Sequence, residues 1–217
     1  MGSEMCIRDR LRDLLVKKIL IAGFEPFDQD KTNPSGDWVN WMIARSMPLR
    51  SSSRELKGVV LPVTFDGAFA TLKKVSDEFC PDIIVMTGLA KNRSVLTIER
   101  IGINWVDARI PDNDGVQILS SKIEEGSPDG LFTTIPVERI LTLAEEANTP
   151  MKVSTSAGEY VCNHLLYKTL LYNHNKKTAA TFIHIPGSDN YDGIYLALES
   201  IVNGPVSYTH LTLPTKA

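Results

Sequence analysis

Hydrophobic positions along the chain fall into two alternating kinds of segment. Short, almost wholly apolar runs at Lys17–Phe24 (KKILIAGF), Val59–Val63, Asp82–Thr87 (DIIVMT), Lys152–Thr155 and Ala179–Ile185 (AATFIHI) read as buried strands. Between them lie stretches whose apolar residues recur at helical spacing. One is capped by Ser35 or Asn33 and runs to about Met47, and the next opens at Asp66 and reaches Phe79. Others cover Val137–Asn148, Glu159–Tyr172 and Tyr191–Val202. The middle, Leu89–Asp129, is less regular: Ser94–Val106 reads as an extended arm or hairpin, and RIPDNDG (Arg109–Gly115) is turn chemistry. Alternation of apolar strands with helices predicts an α/β fold, a three-layer α/β/α sandwich around a mostly parallel open twisted sheet.

The ends depart from this pattern. MGSEMCIRDR lacks the apolar core of a signal peptide, and GPVSYTHLTLPTKA breaks off a helical pattern and then runs without period. Both resemble translated adapter sequence, an ordinary tail being the alternative. The expected organisation is a tail over 1–16, one globular domain over 17–203 and a second tail over 204–217. At 217 residues the chain can bury one substantial core. A formal charge of −3 gives no reason to expect nucleic acid as a partner, and no apolar run reaches the roughly 20 residues of a membrane span. Three cysteines do not make a disulfide framework, which suits a reducing, cytoplasmic setting.

In open α/β sheets the functional crevice lies at the carboxyl ends of the strands, where helix N-termini also gather. Cys80, next to Pro81, belongs to the opposite edge and reads as a small core residue. Cys162 falls in the first turn of its helix, where unpaired N–H groups and the dipole favour a reactive thiolate; a packed core cysteine is the alternative. Of four histidines, His164 points to another side of the same helix, His174 lies about 18 Å along it, and His210 is in the tail. His184, at the carboxyl end of a strand, is the one placed to act as base. Glu99 could orient that imidazole or could pair with Arg100. The loop Gly88–Arg93 follows a strand end and could stabilise an oxyanion. Phe24 and Phe27 could wall a small apolar pocket. No histidine or cysteine pair has zinc-site spacing.

Four blocks then match a known family in order: GFEPFDQDKTNPS, GLAKNRSVLTIERIGINWVDARIPDN, SAGEYVCNHLLY and FIHIPG. Across about Lys18 to Val202 the chain resembles the pyroglutamyl peptidase I cysteine peptidases. The resemblance implies Glu99, Cys162 and His184 as the catalytic set, Arg93 near the oxyanion, and no cofactor. It implies a lactam pocket from Phe24, Phe27, Leu89, Ile110, Tyr160 and Val161, and release of N-terminal 5-oxoproline from peptides. Asn92 stands where many relatives have glycine, so a positive φ is expected there; Leu89 stands where some carry glutamine. The segment after FIHIP is short, so the contacts of a homo-oligomer could differ. The alternatives are an acyl-amide hydrolase of other specificity and a non-catalytic homologue that binds pyroglutamyl peptides.

Overall fold

The computed structural model describes residues 17–46 and 54–204. Both tails as delimited, Cys6 and His210 with them, lie outside these residues except at Gly204. Strands β1 (Lys17–Phe24), β2 (Arg54–Leu61), β3 (Ile83–Ala90), β4 (Leu96–Glu99), β7 (Met151–Ser154) and β8 (Ala179–Pro186) form one sheet in the order β2-β1-β3-β8-β4-β7. Every neighbouring pair is parallel except β4 and β8, which run antiparallel. Strands β5 (Ile101–Ile103) and β6 (Gly130–Phe132) make a separate two-stranded ribbon.

Because side chains alternate across a strand, each strand feeds two cores. One face carries Ile19, Ile21, Ile83, Val85, Ile98, Ile183 and Ile185. It is covered by helices α1 (Pro34–Ser46), α3 (Val137–Glu146) and α5 (Asp192–Asn203). The other carries Leu20, Ala22, Phe24, Ile84, Met86 and Phe182 under α2 (Phe65–Phe79) and α4 (Val161–Asn173). The expected sandwich is the fold observed.

Several local expectations are corrected. Asn33 caps α1, its Oδ1 accepting from Ser35 N–H at 3.1 Å, and Pro34 takes the first helical position, where a missing N–H costs nothing. β2 begins at Arg54, because a half-exposed edge strand pairing β1 residue for residue needs no continuous apolar run. Gly88 does not end β3, which continues to Ala90 along β8. Asn92 is not among the positive-φ residues (Asp28, Cys80, Ser120 and Asn148 are the non-glycines), so its turn makes no left-handed demand. Cys80 is a half-buried cap of α2 in the left-handed region and is not a free thiol, rather than a core filler.

Candidate active site

The sheet face under α2 and α4 holds a line of chemistry at the carboxyl ends of β3 and β8. Register aligns Gly88 of β3 with His184 of β8, and His184 with Thr97 of β4. Two residues beyond Thr97, on the same face by strand alternation, comes Glu99. His184 Nδ1 lies 2.7 Å from Glu99 Oε1, both side chains buried. A carboxylate can only accept, so Nδ1 carries the hydrogen and Nε2 keeps the lone pair. That basic nitrogen is the one not engaged by Glu99.

Cys162 is the second residue of α4. Tyr160 caps the helix in an extended conformation and supplies no side-chain acceptor, so no cap competes for the first-turn N–H groups. The sulfur sits over β3: a Cβ added at Gly88 would lie 3.0 Å from Cys162 Sγ and 2.9 Å from the tip of the Phe182 ring. Phe182 in turn packs against the His184 imidazole, with ring centroids 4.8 Å apart. Sulfur, phenyl ring and imidazole therefore share one small space above the β3–β8 seam.

Arg93 closes the far side. Nη1 donates to Glu99 Oε1 at 2.5 Å and to Thr97 Oγ1, and Nη2 donates to Ser156 O at 2.9 Å. Glu99 thus pairs with Arg93 and His184, not with Arg100, which reaches Glu138. Arg93 is bound to the Glu99 carboxyl group that also meets His184. Its charge still lowers the thiol pKa, but burial, the larger influence, and the Glu99 charge push Cys162 up to about 12. Burial also lowers the His184 pKa, opposed by the Glu99 hydrogen bond. Burial thus opposes the thiolate that the helix position favours, and it opposes the charged imidazole as well. Among the described residues Cys162 is the free cysteine, and no group of three His, Cys, Asp or Glu side chains is placed to hold a metal ion.

The residues expected to line the pocket divide. Phe24 is buried and tilts against Phe182 at 6.5 Å between centroids. Phe27 and Tyr160 pack at 5.4 Å, and both join the apolar cluster that contains Val161 and Cys162. Ile110 is exposed, on the loop held by Tyr160 Oη donating to Pro111 O at 2.9 Å. Leu89 is not brought into this group. It alternates with Gly88 and pairs with Ile185, so register puts it on the opposite face. Two aromatics escaped the sequence reading: Phe65, edge-on to both Tyr160 and His164, and Phe182. Their position at a helix start and a strand end was the available signal.

The pyroglutamyl peptidase family model matches residues 17–191. The chain belongs to the pyroglutamyl peptidase family, a family of cysteine peptidases. The pyrrolidone-carboxylate peptidase of Pyrococcus furiosus is 39% identical over 172 residues, covering 78% of this chain and 80% of its own. That of Aliivibrio fischeri is 36% identical over 193 residues, covering 87% and 89%. An X-ray structure of the P. furiosus enzyme superposes with a TM-score of 0.79 at 33% identity, over 85% of this chain and 96% of that one. Family membership also accounts for the shared sheet.

Proposed function

We propose that this cysteine peptidase removes N-terminal pyroglutamate from peptides and proteins through a thioester on Cys162, within a single domain over 17–203. The observation that carries the reading is the buried His184–Glu99 hydrogen bond on the face where the Cys162 sulfur lies. Glu99 fixes the imidazole tautomer, and Arg93 holds the Glu99 carboxyl group in place. As the sulfur attacks the pyroglutamyl carbonyl, His184 Nε2 takes the thiol proton, so the S–H bond is lost as the C–S bond forms. The carbonyl oxygen becomes an oxyanion at the N-terminus of α4. There backbone N–H groups of the first turn stabilise it, and Arg93 contributes through its charge. His184 then passes its proton to the leaving amine, the C–N bond breaks, and water hydrolyses the thioester with His184 again as base.

Phe24, Phe27, Tyr160 and Val161 offer an apolar slot that suits a neutral lactam ring. An N-terminal glutamate would bring an ammonium and a carboxylate into it without partners, at a cost of several kcal/mol. Ile110, exposed on the loop that Tyr160 Oη holds, would serve as the rim of that slot. No helix among the described residues is long and apolar enough to cross a membrane. A working thiol has to stay reduced, which suits the cytoplasm.

The test is cleavage of a pyroglutamyl aminocoumarin substrate before and after iodoacetamide. Alkylation should abolish turnover, and glutamyl and glutaminyl analogues should be inert; cleavage that survives full alkylation of Cys162 contradicts the reading. Because burial lowers the His184 pKa, the acid limb of kcat/KM should fall below the ordinary histidine value of about 6.5. Because burial raises the thiol, alkylation of Cys162 should keep accelerating above pH 9. A flat alkylation rate across neutral pH would reveal a preformed thiolate instead.

A further inference from the structure

Gly88 occupies a buried position of β3, paired with His184 of β8, where glycine has no conformational reason to be. Its φ is not in the left-handed region, unlike Gly115, Gly126 and Gly158. Within a strand, glycine loses conformational entropy and packs nothing. What the position requires is space. The missing Cβ would meet Cys162 Sγ at 3.0 Å and two atoms of the Phe182 ring, Cζ at 2.9 Å and Cε1 at 3.2 Å. Both neighbours belong to the reacting arrangement: one is the nucleophile and the other is the surface on which the His184 imidazole rests.

We propose that Gly88 is a positioning residue of the active site, the bare stretch of β3 on which the Cys162 sulfur is seated in line with His184. The inference rests on the reading of Cys162 and His184 as nucleophile and base. Register makes the placement specific, because Gly88 is the direct partner of His184. A side chain here would lift the sulfur off the strand and press the Phe182 ring toward the imidazole. Both reacting groups would shift by a few tenths of an ångström, while the apolar slot of Phe27 and Tyr160 would stay as it is.

In the full chain, Gly88→Ala should lower kcat on the pyroglutamyl aminocoumarin substrate by at least about tenfold with KM changed less than about twofold. A purely structural strand glycine would not produce that split. The contact itself is read by a double-mutant cycle. Gly88→Ala should depress the melting temperature, and the depression should shrink once Cys162→Ala removes the sulfur. Should Gly88→Ala alone fail to fold, the same pair of comparisons is made on a Phe182→Leu background, which removes the ring tip and leaves the sulfur. A folded Gly88→Ala protein with kcat within about twofold of its parent overturns the assignment. A melting shift of equal size with and without the sulfur also overturns it. Failure of the underlying reading shows itself separately, as a parent chain that iodoacetamide does not inactivate.

Discussion

Strand β8 reads differently on its two sides. Toward α3 and α5 it presents Thr181, Ile183 and Ile185 to a largely aliphatic layer; toward α2 and α4 it presents Ala180, Phe182 and His184. Neighbouring residues of one strand thus serve separate ends. The aliphatic side holds the sheet rigid, and the other uses that rigidity to keep a buried histidine and glutamate 2.7 Å apart. Desolvating His184 and Glu99 works against folding, so the stabilisation has to come from the opposite face and from the apolar packing around the site.

The comparison breaks most sharply at the reactive face. Cys162→Ala or His184→Ala should cut kcat/KM by at least about 10⁴-fold while leaving the melting temperature near that of the parent. A large loss of stability with either change would show that the two faces are not separable. Next in size is Ile183→Ala on the aliphatic face. It should cost about 2–5 kcal/mol in denaturant unfolding and leave kcat per folded molecule unchanged.

The buried His164 tests the reactive side through pH. Its pKa is lowered to about 4, chiefly by burial, so the unfolded chain binds a proton that the folded chain refuses between roughly 6.5 and 4. Stability should therefore be complete above pH 6.5 and fall as the pH drops toward 4. His164→Phe keeps the edge contact with Phe65 and cannot take a proton. It should remove up to about 3 kcal/mol of that decline, read from unfolding curves at pH 7 and 4.5. The smallest effect is expected at Thr181, whose buried Oγ1 has no partner on the aliphatic face. Thr181→Val should stabilise by about 1 kcal/mol without touching turnover.

Most of the sheet was readable from apolar runs, because β1, β3 and β8 are buried on both faces and leave an unmistakable pattern. β4 was not, since its antiparallel insertion between β8 and β7 depends on partners 50 or more residues away along the chain. The Cys162–His184 choice followed from sheet edges and helix ends, which sequence order largely determines. The partner of Glu99 did not: Arg100 is adjacent but strand alternation points it away, while Arg93 comes round from the preceding loop. Gly88 looked like a terminator because a glycine after an apolar run usually is one. Only the sulfur packed against it shows another reason. Leu89 entered the expected pocket through the family resemblance, whereas strand alternation puts it on the opposite face. The balance acting on the Cys162 thiol was also out of reach, since helix position argues for the thiolate while burial and the Glu99 charge argue against it.

The central claim is covalent catalysis by Cys162 on a pyroglutamyl carbonyl, and rapid acid quench during turnover tests it directly. Peptide mapping by mass spectrometry should find one pyroglutamyl group, held as a thioester on the peptide that contains Cys162, and none in the His184→Ala protein. Steady turnover with the acyl group on another residue, or with a short-lived adduct absent under conditions that trap thioesters, would contradict the account.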